Sequence, residues 1–189
     1  MKKLSFVLIA LIISTTSCKK EKKEIKTVET EVIETAVVAP KKVKISLSAK
    51  SDSNVSGNVV FKDVENGVSM TAIMSGLTPG QHAIHIHASS DCSSPDGKSA
   101  GGHWNPTAQP HGKWGAETGY HKGDIGNFTA DENGHGTISF TTDEWCIGCG
   151  DETKDILGKG VIVHAGTDDL TSQPSGAAGA RVSCAGIIQ

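Results

Sequence analysis

The stretch Ile84-His85-Ile86-His87 constrains this chain more than any other part of it. Successive side chains of an extended strand point to opposite faces. The two isoleucines therefore share one face, which suits a core, and the two imidazoles share the other. Two imidazoles side by side on one strand face form a ready pair of metal ligands. They would also serve as an ordinary polar strand face. Four further histidines, His103, His111, His121 and His164, stand in similarly suggestive places downstream and favour the ligand reading.

Around this strand the chain offers many short extended segments and, after residue 42, no convincing long helix. Val43–Ser48, Val55–Val64, Val68–Leu77, Gly126–Ala130, Thr137–Thr141, Val161–His164 and Arg181–Ile187 read as strands. Glu65-Asn66-Gly67 and Asp131-Glu132-Asn133-Gly134 read as turns. Short strands between Gly-rich turns predict an all-β fold, a sandwich or barrel. Two segments do not fit strands: His87–Tyr120 and Gly166–Ala180. Loops of this length in a compact domain are usually functional or disordered.

The N-terminus has a different character. Lys2 and Lys3 precede the apolar run Leu4–Ile13, which is too short to span a bilayer. Ser14-Thr15-Thr16-Ser17 and then Cys18 complete the layout of a signal peptide over residues 1–17. A cysteine directly after small residues resembles a bacterial lipoprotein signal, although Thr15 stands where such signals usually carry Leu. The resemblance implies lipidation of Cys18 and a membrane association through that lipid alone. Residues 18–42, rich in Lys, Glu, Thr and Val, read as a flexible tether. The domain proper is then 43–189. Residues 1–42 hold nine of the 18 basic and five of the 21 acidic residues, which leaves the domain at −7. Such a domain has no basic footprint for nucleic acid.

Four cysteines lie in the domain, and an exported chain favours disulfides. Cys146-Ile147-Gly148-Cys149 reads as a local disulfide, a redox pair or half of a metal site, and the first of these is preferred. His121 and Asp124 lie three residues apart across Gly123, and a tight turn there would fold both onto one ion. Three imidazoles and a carboxylate suit tetrahedral zinc. Four imidazoles suit copper in a tetragonal arrangement. Six histidines serve both sites only if one is shared.

Taken together, His85-Ile86-His87, Gly101-Gly102-His103-Trp104-Asn105-Pro106, His111-Gly112, His121-Lys122-Gly123-Asp124-Ile125-Gly126-Asn127, Val163-His164 and Gly179-Ala180-Arg181-Val182-Ser183-Cys184 strongly resemble the copper/zinc superoxide dismutases. The resemblance runs in order over about residues 43–189. These enzymes are themselves a standing example of sandwich folds and of near-diffusion-limited catalysis, so both properties follow here from the resemblance alone. It implies a Greek-key sandwich or barrel of about eight antiparallel strands with two long functional loops. It implies copper on His85, His87, His103 and His164, and zinc on His103, His111, His121 and Asp124, with His103 as the bridge. Arg181 would draw in the superoxide anion beside copper, and Asp168 would join a copper ligand to a zinc ligand. Cys92 and Cys184 would form the disulfide that ties the first loop to the barrel. His82 and His135 match no ligand and read as surface residues. Export to the periplasm or cell envelope and a homodimer are both compatible with the resemblance.

The chain departs from that pattern at its edges. Thr171–Gly176 lacks the Lys and Glu of the eukaryotic steering loop, and Cys146–Cys149 is an insertion. Two other functions use the same ligands: an exported metal buffer and an inactive structural relative. Both are disfavoured because all seven ligand positions and Arg181 are filled.

Overall fold

The computed structural model describes residues 40–189; the expected signal peptide, Cys18 and most of the expected tether lie outside them. Eight strands form: β1 Lys42–Ala49, β2 Ser56–Val64, β3 Gly67–Ser75, β4 Gly80–His87, β5 Gly126–Ala130, β6 Gly136–Thr142, β7 Gly160–His164 and β8 Arg181–Gly186. Apart from one 3-10 turn at Lys98–Ala100, no helix is present among the described residues. The strands close into a barrel in the order β1-β2-β3-β6-β5-β4-β7-β8, antiparallel throughout. The β3–β4 and β6–β7 connections each pass over two strands, which makes the topology a Greek key.

Alternation decides what fills the barrel. Val43, Ile45 and Leu47 of β1, Val59 and Phe61 of β2, and Val68, Met70, Ala72 and Met74 of β3 all point inward. Ile84 and Ile86 of β4 pair with Val163 and Val161 of β7, and all four are fully buried. Burying each such side chain stabilises the fold by roughly 1.5–3 kcal/mol. Because the long loops cover the outside of β4, His85 and His87 are also buried, on the opposite face from the isoleucines. The core thus fixes the strand, and the strand aims the imidazoles.

Cys92 and Cys184 form a disulfide that ties the first loop to β8. Closing a loop of this sequence length contributes on the order of 4 kcal/mol if the stabilisation is counted as lost entropy of the unfolded chain. Cys146 and Cys149 form the local disulfide.

One expectation is overturned. His82 is not at the surface; it is 2% exposed. The reason is parity: His82 lies two residues before Ile84 and so shares the inward face. Its Nδ1 lies 2.9 Å from the His164 carbonyl and its Nε2 lies 2.8 Å from the Thr78 carbonyl. Its ring stacks on Phe128 at 5.9 Å. His135 is exposed, as expected. Replacing His82 with Leu keeps the bulk but leaves the buried His164 carbonyl without its partner. Urea unfolding should show a loss of about 1–3 kcal/mol; an unchanged midpoint would mean that the ring is not what satisfies it.

Candidate metal centre

The outer face of β4 contributes the first two imidazoles, and the neighbouring elements bring the rest to it. The first loop turns back beside the end of β4, where His87 and His103 form an isolated antiparallel bridge. The Trp104 N–H donates to the Ile86 carbonyl at 2.8 Å, the Gly123 N–H to the Trp104 carbonyl at 3.0 Å, and the Ile86 N–H to the Gly123 carbonyl at 2.9 Å. This ring of three main-chain bonds fixes His103 against His87 and brings the His121–Asp124 turn alongside. Position 123 must be glycine, since a Cβ there would lie 2.1 Å from the Ile86 carbonyl oxygen.

His164 ends β7. The β7/β8 register shifts between Val163 and His164, so that Val163 faces Ser183 while His164 faces Arg181. Such bulges re-aim side chains. Here the bulge sets Arg181 opposite a histidine of the cluster.

Two groups of four side chains result, each with its ligand atoms within 4.8 Å of one another. One is His85, His87, His103 and His164; the other is His103, His111, His121 and Asp124. His103 belongs to both, with its ring 4.0 Å from that of His85 and 5.3 Å from that of His111. Arg181 lines a cavity of about 380 Å³ together with His87, His103 and His164, and its Nη1 donates to the Gly97 carbonyl at 2.8 Å.

The pattern of used and unused ring nitrogens fits metal ions. His85 Nε2 is held by Asp168 Oδ2 at 2.9 Å, His87 Nδ1 by the Gly101 carbonyl at 2.9 Å, and His111 Nε2 by Asp168 Oδ1 at 2.9 Å. The other nitrogen of each ring is left free of any hydrogen-bond partner: His85 Nδ1, His87 Nε2 and His111 Nδ1. His103 Nε2, His121 Nδ1 and His164 Nε2 are in the same condition. Buried polar atoms almost always have partners. Six exceptions converging on two points are what imidazole ligands look like, each ring oriented through its second nitrogen. His111 Nδ1 and His121 Nδ1 do lie 3.0 and 3.2 Å from Asp124 oxygens. Those contacts lack hydrogen-bond geometry, so they count as crowding of donor atoms around one point.

Protonation follows from the same surroundings. Burial pushes His85 down to about 4, against the pull of Asp168. Burial and the neighbouring rings push His164 to about 3 and His87 well below the ordinary value. For His111 burial also opposes charge, but Asp124 and Asp168 outweigh it and raise the ring to about 9. Asp124 and Asp168 resist burial in turn, because their histidine hydrogen bonds hold both below the usual carboxylate range.

Three supporting residues had no expected role. Asn127 on β5 donates its side-chain amide to the Asp168 carbonyl at 2.8 Å and accepts from the Asp168 N–H at 2.8 Å. Gln173 does the same for His111, accepting its N–H at 2.9 Å and donating to its carbonyl at 2.8 Å. Gly176, at φ +67, leaves room for Asp168; a Cβ would lie 1.7 Å from its Oδ1.

The opposed shifts set a pH optimum for the metal-free protein. His85, His87 and His164 stay neutral in the fold but charge on unfolding, so stability falls as pH drops below 6.5 toward about 4 and about 3. His111 acts the other way: its stabilisation is fully present below 6.5 and is lost as pH rises through about 9. Because the lowered histidines outnumber the raised one, thermal unfolding of metal-free protein should be most resistant at about pH 7, between the two losses. A stability that climbs from pH 7 to 9 would contradict this balance.

Residues 55–187 match the family model for copper/zinc superoxide dismutase. The superoxide dismutase [Cu-Zn] of Caulobacter vibrioides is 37% identical over 142 residues, covering 73% of this chain and 80% of that protein. Among solved structures, a SOD-like protein from Bacillus subtilis superposes with a TM-score of 0.68 at 28% identity, over 77% of this chain and 97% of the other. The clock protein EA4 gives 0.68 at 30% identity, over 81% and 98%. With a matching family model over most of the barrel and a close curated relative, this chain belongs to the copper/zinc superoxide dismutase family.

Proposed function

We propose that the protein is a superoxide dismutase that converts two superoxide anions and two protons to oxygen and hydrogen peroxide. Copper is held by His85, His87, His103 and His164, and zinc by His103, His111, His121 and Asp124. The main support is the set of six buried, unpartnered ring nitrogens in two groups that share one imidazole. A bound copper ion would supply one-electron chemistry, alternately accepting and returning an electron, while zinc would supply charge without redox change.

The chain's own residues do the remaining work. The Arg181 guanidinium stands at the cavity that reaches His87, His103 and His164. Burial lowers its pKa, yet an arginine stays charged at any working pH. With the domain at −7, attraction for an anion has to be local, and Arg181 provides it beside the metals. His103 Nε2 faces the copper group and is suited to hold a proton and return it to the departing peroxide. Asp168 fixes the tautomers of one ring in each group. A metal buffer could use the same ligands, but it would have no use for Arg181 at the cavity.

Residues 1–17 serve as a signal peptide, Cys18 carries a lipid, residues 18–42 form the tether, and the protein works outside the cytoplasm, in the periplasm or envelope. Two disulfides favour an oxidising compartment, and the layout from Lys2 to Cys18 favours the lipid. Mass spectrometry of the mature N-terminus should find a lipidated Cys18; a soluble chain starting elsewhere would refute the anchor.

Variants separate the roles. Arg181→Gln should slow turnover by about tenfold or more, a typical size for electrostatic steering, with copper and zinc contents unchanged. His103→Ala leaves three ligands in each group. It should keep substantial metal but lose on the order of a hundredfold in rate, as for loss of a positioned proton donor. Asp124→Ala should empty zinc first. If metal content falls with activity in Arg181→Gln, that residue is structural and the steering role fails.

A further inference from the structure

The second cysteine pair has no part in the metal chemistry. Its two sulfurs differ in setting. Cys149 is exposed and Cys146 half-buried. The Cys146 N–H donates to the Lys154 carbonyl at 2.8 Å, and its carbonyl accepts from the Ile156 N–H at 3.1 Å. Cys149 makes no main-chain to main-chain hydrogen bond among the described residues. It sits between Gly148 and Gly150, both left-handed, and its sulfur accepts from the Asp151 N–H at 3.5 Å.

The loop that carries the pair keeps its shape by other means. The Asp155 carboxylate accepts from the N–H groups of Gly148, Gly150 and Leu157 at 2.9, 3.0 and 3.1 Å. The Lys41 ammonium donates to the Ile147 and Gly148 carbonyls at 2.7 and 3.0 Å. Trp145, Ile147 and Ile156 are buried in the barrel core. Asp155 lies close enough to both sulfurs to complete a three-ligand cluster. Both its oxygens are already committed to main-chain donors, so a cation would have to displace them. Sulfur–sulfur exchange is the chemistry that costs the loop least.

Cys92–Cys184 is less open and more strongly closed, although Cys92, like Cys146, is half-buried. Cys184 is 1% exposed, and the bond spans 92 residues rather than 3. A short ring restricts the unfolded chain little, so opening it forfeits little stability. Access and strength of closure together decide which disulfide a thiol reduces.

We propose that Cys146–Cys149 is a thiol–disulfide exchange site, open to external thiols while Cys92–Cys184 stays oxidised. A thiolate attacks the exposed Cys149 Sγ, forming a mixed disulfide; the Cys149–Cys146 bond breaks and Cys146 leaves as a thiolate that takes up a proton. A second thiol attacks the external sulfur of the mixed disulfide and releases Cys149, which is protonated in turn. Two electrons pass from two thiols, which leave joined as a disulfide, to the pair. The core contacts of Trp145, Ile147 and Ile156 and the bonds to Asp155 hold the barrel unchanged through the cycle.

The metal-loaded protein can be equilibrated without oxygen in graded mixtures of reduced and oxidised glutathione, acid-quenched, alkylated and mapped by mass spectrometry. Cys146 and Cys149 should be half reduced where about nine-tenths of Cys92–Cys184 is still linked, with copper and zinc contents unchanged. If both pairs titrate together, or Cys92–Cys184 opens first, the site is not a distinct exchange centre. Single variants, in which the remaining protein thiolate attacks oxidised glutathione, test which of the two sulfurs an external partner reaches. With oxidised glutathione, Cys146→Ser should form its adduct at Cys149 at least about tenfold faster than Cys149→Ser forms one at Cys146. Equal or reversed rates would overturn the assignment of Cys149 as the attacked sulfur.

Discussion

Seven side chains can make two four-membered donor groups only because the two nitrogens of His103 face opposite ways. Its Nδ1 lies 2.7 Å from Asp124 Oδ1, and its Nε2 is left toward His85, His87 and His164. That single ring therefore sets the spacing of both groups, and anything that tilts it moves both. Its backbone is held to β4 and to the Gly123 turn by the three main-chain bonds among Ile86, Trp104 and Gly123. Trp104, next in sequence, is 3% exposed and joins the barrel core. The shared imidazole is thus fixed by the same hydrophobic core that fixes β4.

The loops are less self-sufficient than the barrel, and they are tied to it by specific bonds. Asp168 reaches His85 on β4 with one oxygen and His111 in the first loop with the other. The second long loop thereby links the two donor groups from outside. Asn127 holds the Asp168 peptide to β5, and Gln173 holds the His111 peptide to the second loop. A buried ligand set costs a great deal unless each donor is satisfied. These amide clamps satisfy the main chain, and they leave the ring nitrogens as the unpaired atoms.

Much of this was legible in the sequence because strand alternation has a period of two. The strands bracketed by turn residues appear within a residue or two of the expected positions, and β5 matches at both ends. The same period places His82 inward, by its parity with Ile84 and Ile86; the absence of a ligand role carries no information about exposure. The choice between sandwich and closed barrel was not legible, because β1 meets β8 through only two residue pairs, Ser48 with Cys184 and Ala49 with Ser183. Nor was the bulge that sets Arg181 against His164, since a register shift leaves no mark on composition. The Asn127 and Gln173 clamps act across 41 and 62 residues, beyond the reach of any local pattern. The candidate ligands are named by residue type and family resemblance; their orientation comes only with the fold.

The central claim is that two metals on a shared imidazole, with Arg181 at the cavity, make a superoxide dismutase and not a metal store. Superoxide decay measured at equal concentrations of fully metal-loaded and metal-free protein tests it most directly. The loaded protein should remove superoxide at the near-diffusion rate of which superoxide dismutases are themselves a standing example, on the order of 10⁸–10⁹ M⁻¹s⁻¹, and yield one peroxide for every two superoxide anions consumed. Decay no faster than with the metal-free protein would contradict the enzymatic account and leave metal storage in its place.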